Sequence, residues 1–122
     1  MKIQESAQNY LETILVLKER NGSVRSIDIV HELGFSKPSI SIAMKGLRED
    51  GYIAVDDHGY IELTPSGLDI ADRIYDRHRV LSEAFIAMGV NEKTAVEDAC
   101  KIEHFISEET FQKIKEHLNK VI

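Results

Sequence analysis

A mostly α-helical chain with one small β-hairpin is the fold class this sequence predicts, and three observations predict it. Apolar residues recur at helical spacing through most of the 122 residues. Two short β-rich runs, Tyr52-Ile53-Ala54-Val55 and Tyr60-Ile61-Glu62-Leu63, flank a polar turn that contains glycine. Caps and stops punctuate the chain: Ser26, Ser36, Thr64 and Ser107 as caps, Gly22, Gly34 and Gly89 as stops.

The first helix is expected over residues 5–20, with Tyr10, Leu11, Ile14, Leu15 and Leu17 inward and Asn21-Gly22 as its stop. Ser26 can cap a short helix from Ile27 to Leu33, which Gly34 ends. Ser36 caps a third helix with Pro38 in its first turn, where the missing N–H does no harm. That helix is expected to run through Ile40, Ala43, Met44 and Leu47 to Gly51. The hairpin turns at Asp56-Asp57-His58-Gly59. Thr64 and Pro65 open a long helix with Ile70, Ile74, Val80, Leu81 and Phe85 on its apolar side. Asn91 or Thr94 starts a fifth helix, and Ser107 caps a sixth that turns Phe111, Ile114 and Leu118 inward.

Two short helices joined by Leu33-Gly34-Phe35-Ser36 and followed by a hairpin describe a winged helix-turn-helix. The full expectation is that motif followed by a helical dimerisation domain, divided at Thr64-Pro65 into residues 1–64 and 65–122. In such a motif the second helix offers its N-terminal residues to base edges in the major groove of double-stranded DNA. Here these are Ser36, Lys37, Ser39, Ser41 and Ile42. The hydroxyls suit phosphates or bases, and Ile42 suits a thymine methyl group. Lys45, Arg48 and Arg25 are candidates for phosphate. The same Ser and Lys residues also serve as plain caps and solvated surface, and winged helices also bind proteins. The acidic wing tip, Asp56-Asp57, argues against a wing that grips DNA strongly.

Composition narrows the function. With 43% hydrophobic and 30% charged residues the chain reads as globular. A formal net charge of −6, shared equally between residues 1–64 and 65–122, excludes DNA binding by bulk charge alone. No apolar run approaches a membrane span, so no membrane partner is expected. The start of the chain lacks the long apolar stretch of a signal peptide, and its single cysteine, Cys100, has no internal partner for a disulfide. A cytoplasmic location is the expectation. Phe105, Ile106, Phe111, Ile114 and Leu118 together look like more apolar surface than so short a chain buries, which points to a homodimer.

Chemistry concentrates in Cys100-Lys101-Ile102-Glu103-His104. On a helix, separations of three and four residues bring Cys100, Glu103 and His104 to one face. A thiolate, a carboxylate and an imidazole together suit a borderline transition metal. His78, in the middle of the long helix, can complete the set, and Asn9 and Glu12 put two oxygen donors on one face of the first helix. Taken singly, Cys100 also fits a small buried residue, and Glu103 and His104 also fit exposed surface.

These stretches together resemble the iron- and manganese-dependent repressors, the DtxR/MntR family. The likeness runs through Tyr10-Leu11-Glu12-Thr13-Ile14, Ser36-Lys37-Pro38-Ser39-Ile40-Ser41, Leu63-Thr64-Pro65-Ser66-Gly67, Arg77-His78-Arg79 and the Cys100–His104 stretch. It implies a metal site between a winged-helix domain and a dimerisation domain, in the short form without an SH3-like third domain. It implies that Glu12 matches the first-helix ligand of the manganese branch and that His78, Glu103 and His104 match ligands of both branches. Cys100 falls where manganese regulators have Glu and iron regulators have Cys, and Asn9 where they have Asp and Met respectively. Val96 and Ser82 stand where the iron branch has a His and a Glu, and Ile42 stands where it has a Gln. The resemblance therefore implies the clustered, manganese-type site with Cys100 replacing a carboxylate. Fe2+ or Mn2+ is the expected cofactor, Fe2+ slightly ahead, with Zn2+, Co2+ or Ni2+ binding in vitro. A metal-independent regulator is the alternative. A metalloenzyme using Glu103 or Glu12 as a base has no nucleophile or substrate motif to support it, so no enzyme is expected.

Overall fold

The computed structural model describes residues 4–121. Met1-Lys2-Ile3, which belong to the amino-terminal reading above, and Ile122 lie outside the described residues. Six helices and one hairpin follow in the order α1 (Glu5–Asn21), α2 (Ser26–Leu33), α3 (Lys37–Glu49), β1 (Ile53–Val55), β2 (Ile61–Leu63), α4 (Pro65–Ala87), α5 (Glu92–Ile102) and α6 (Glu108–Val121). Packing divides the described chain into two compact units between Asp72 and Arg73, inside α4. The sequence suggests a division at Thr64-Pro65 instead. The first turns of α4 stay with the hairpin because Gly67 lies hard against the Tyr52 main chain.

In the first unit, Leu11, Ile14 and Leu17 of α1 are buried, as are Val24, Ile29, Ile40, Met44 and Leu47. Ile53 and Ile61 add the inner face of the hairpin. The antiparallel register sets Ile53 against Leu63 and Val55 against Ile61. Gly34 ends α2 in the left-handed region at φ 74°, with its N–H on the Val30 carbonyl, and so reverses the chain between α2 and α3.

Three local readings change. The start of α2 is closed by Asp28, whose Oδ2 accepts from the Arg25 N–H at 2.9 Å, rather than by the Ser26 hydroxyl; Ser26 is the first helical residue. α3 stops at Glu49, because Asp50 and Gly51 already form the turn into β1. Tyr52 and Tyr60 lie outside the strands. The Tyr52 carbonyl is taken by the Thr64 N–H, and Tyr60 bridges Arg25 as the Ile61 N–H reaches the Val24 carbonyl. Residues 24 and 25 thereby add a short third edge to the wing.

Thr64 joins the hairpin to α4. Its hydroxyl donates to the Gly51 carbonyl at 2.7 Å and accepts from the Gly67 N–H at 3.2 Å. Gly67 is required by space: a Cβ there would lie 2.0 Å from the Tyr52 carbonyl oxygen.

The second unit packs Val80 of α4 with Phe111 and Leu118 of α6, flanked by Ala84, Ile106 and Ile114. This corrects the apolar-excess reading. Of its five residues, four face this core and only Phe105 stays out, at 69% exposure. Exposed apolar side chains of this unit include Ile86, Met88, Val96 and Ile102 as well as Phe105.

Candidate metal centre and nucleic-acid interface

α5 ends at Ile102, so Glu103 and His104 follow the helix rather than ride on it. Glu103 keeps right-handed helical dihedrals, and its N–H still bonds the Ala99 carbonyl. Main-chain bonds from Phe105 and Ile106 to the Ile102 carbonyl then close a tight turn. This turn buries what the sequence leaves open: Glu103 is wholly buried and His104 is 5% exposed.

His78 of α4 sets its Nδ1 2.8 Å from Glu103 Oε2. An ionised carboxylate only accepts, so in this contact the Nδ1–H donates to Glu103 Oε2. His104 Nε2 stands 3.4 Å from Glu103 Oε1, at ion-pair distance but outside hydrogen-bonding geometry. Glu103 Oε1 is thus a buried carboxylate oxygen with no hydrogen bond. Burying such an oxygen costs free energy unless something positive meets it. Two imidazoles around a buried carboxylate fit a divalent transition metal. Cys100, one turn earlier on α5, is exposed. In the first unit, Asn9 and Glu12 sit one turn apart on α1, both half-buried, and the Asn9 carbonyl accepts from the Thr13 hydroxyl at 2.8 Å.

The candidate DNA-facing residues Arg25, Ser36, Lys37, Ser39, Ser41, Ile42, Lys45 and Arg48 are all exposed. Ser36 Oγ accepts from the Ser39 N–H and donates to Ser39 Oγ at 2.9 Å, so these two hydroxyls begin by capping α3. Ile42 is 73% exposed, a large apolar side chain held in water. Arg25 has a structural job as well. It lies over the Tyr60 ring at 5.0 Å and donates from Nη2 to the His58 carbonyl, bracing the wing turn. Asp56 is turned into that turn, its Oδ1 accepting from the N–H groups of Tyr60 and His58. The Tyr60 bond does most to hold its carboxyl below the usual carboxylate range.

Two sequence-family profiles cover nearly the whole chain. The iron-dependent repressor N-terminal DNA-binding domain matches residues 2–63, and the iron-dependent repressor metal-binding and dimerisation domain matches residues 64–121. The chain belongs to the iron-dependent repressor family. An uncharacterised HTH-type transcriptional regulator of Methanocaldococcus jannaschii is 31% identical over 120 residues, spanning 97% of this repressor and 96% of the relative. The regulator MntR of Geobacillus thermodenitrificans is 32% identical over 102 residues, 84% of this chain and 72% of its own. Among solved structures, IdeR of T. acidophilum superposes with a TM-score of 0.80 at 26% identity over 98% of this chain. A manganese-dependent transcriptional repressor in complex with manganese gives 0.82 at 28% over 93%. This repressor spans about half the length of those two, 55% and 52%.

Within this family member the structure brings His78, Glu103 and His104 together in the second unit and leaves Cys100 at the surface of α5. Sequence reasoning passed over the arginine beside His78. Arg77 donates to two carbonyls of the Glu103–Ile106 turn, and its only signal in the sequence was its place in Arg77-His78-Arg79. No described helix is long and apolar enough to cross a membrane.

Proposed function

We propose that this repressor binds duplex DNA as a homodimer, and binds it more tightly with a divalent transition metal, Fe2+ or Mn2+, at a centre built on Glu103. The observation that carries the metal reading is the buried carboxylate itself, one oxygen on His78 and the other without a hydrogen bond. Family membership supports the DNA-binding and dimerising roles. Residues 1–64 are the DNA-binding part, and residues 65–122 the metal-binding and dimerisation part.

His78, Glu103 and His104 would hold the ion, joined by Glu12, Cys100 and, through its amide oxygen, Asn9. A bound dication supplies positive charge to this carboxylate-rich set and offsets two of the six net negative charges of the chain. Glu12 and Asn9 belong to α1, in the DNA-binding part. In a dimer both copies of α3 must meet major grooves on one DNA face, and fixing their spacing raises affinity. Lys37, Ser41 and Ile42 then meet the groove, with Lys45, Arg48 and Arg25 on phosphate. Cys100 as thiolate weights the choice toward Fe2+ over Mn2+. The role is that of a cytoplasmic regulator controlling metal homeostasis, not of an enzyme.

The test is a binding measurement on the chelator-treated protein. Duplexes selected from a random pool are titrated with no metal, with Mn2+ and, without oxygen, with Fe2+. Metal should raise affinity by at least tenfold; equal binding in all three arms overturns the proposal.

A further inference from the structure

Arg77 is the nearest neighbour in sequence of His78, yet its side chain serves the opposite end of the same acidic residue. Nη1 donates to the main-chain carbonyl of Glu103 at 3.2 Å and to that of Ile106 at 2.8 Å. Nη2 donates to Glu108 Oε2, at the start of α6, at 2.8 Å. The guanidinium lies over the Phe111 ring at 5.4 Å, and the side chain is only 12% exposed. Adjacent residues of α4 therefore grip Glu103 twice: His78 holds its carboxylate, and Arg77 holds its backbone.

The turn needs such a grip. α5 ends at Ile102, and the last carbonyls of a helix have no intrahelical partner. Two carbonyls of the turn find theirs in one guanidinium nitrogen, while the other nitrogen anchors the turn to the next helix. The planar fork of arginine reaches both sides at once, whereas a lysine ammonium is a single point donor. Glu103 stays tied to the helix by its N–H on the Ala99 carbonyl, and the turn sets the main chain from there onward.

We propose that Arg77 is a positioning residue of the metal centre, fixing the main chain of residues 103–106 so that Glu103 and His104 are set before an ion arrives. This rests on the metal reading above. Groups that orient metal ligands from behind are worth roughly 10–100-fold in affinity.

The test titrates the full chain with Co2+ and follows its visible d–d absorption, for wild type, Arg77→Lys, Glu108→Gln and Glu103→Gln. The apoproteins are compared by thermal melting. Arg77→Lys should weaken Co2+ binding about tenfold or more and shift the d–d band, which a merely structural role would leave in place. Glu108→Gln, which loosens only Nη2, should weaken binding by a smaller factor and shift the band in the same direction. An Arg77→Lys protein with wild-type affinity and band overturns the proposal. If that variant does not fold, a Glu108→Gln protein identical to wild type in both readouts overturns it. Glu103→Gln separates the two claims: if wild type takes up no Co2+, or Glu103→Gln takes it up equally well, the metal reading fails whatever Arg77 does.

Discussion

His78 Nδ1 lies 2.8 Å from Glu103 Oε2, across 25 residues of sequence, while the second oxygen of that wholly buried carboxylate has no hydrogen bond. The apoprotein therefore carries a burial cost that an ion can relieve. Replacing Glu103 by Gln removes the charge and keeps the shape. The apo form of Glu103→Gln should melt no lower than wild type, because no carboxylate is left to desolvate. Wild type should gain stability on adding metal, about 2.7 kcal/mol at a hundred times Kd, and the variant should gain none. Thermal melts with and without Mn2+ decide this; an equal metal shift in both proteins contradicts it.

Cys100 tests the identity of the metal. Changing Cys100→Glu should move preference from Fe2+ and Co2+ toward Mn2+, since a hard carboxylate replaces a soft thiolate. Competition titrations report the order. An unchanged metal profile would mean that the exposed thiol is not a ligand.

Gly67 tests the joint between hairpin and α4. A methyl group at this position meets the Tyr52 carbonyl oxygen at 2.0 Å, and main chain cannot swing aside as a flexible side chain does. Gly67→Ala should destabilise the protein by about 1–3 kcal/mol, the range for overpacking. Urea unfolding measures it, and a wild-type midpoint would refute the stated contact.

Ile42 and Arg48 separate reading from gripping. Arg48→Ala should weaken binding to all duplexes alike and lower the salt slope by about 1. Ile42→Gln should change which duplexes are selected, because it exchanges a methyl-compatible side chain for a hydrogen-bonding one. Binding series in salt and selection from a random pool check the two. Identical selected sequences would remove Ile42 from the interface.

Asp76 governs part of the acid limb of stability. Burial raises its pKa, but Lys115 at 3.0 Å and Arg79 at 3.1 Å outweigh that and hold it below the ordinary value. A carboxylate whose folded pKa is lowered contributes stability that is fully present above its unfolded pKa, about 3.9, and is lost as pH falls through the lower folded value. Asp76→Asn should therefore melt below wild type at pH 6, and the gap should close as pH falls below about 4. A gap independent of pH would contradict the ion-pair account.

Short-range interactions set most of the elements. Helix stops at Gly22 and Gly34, the Ser36 cap and the hairpin turn are set by interactions within a few residues, and each appears where its spacing implies. Ligand types were legible for the same reason, as chemistry in a short stretch. Tertiary structure decided what burial and long-range bonds decide. It ended α5 before Glu103, sealed that carboxylate from water, left Cys100 outside, and set Arg77 on carbonyls 26 and 29 residues away. It placed Gly67 against Tyr52 and folded Phe111 and Leu118 into a core. Local propensity is paid out over one turn of chain, whereas the desolvation of Glu103 and the reach of Arg77 exist only once distant segments have packed.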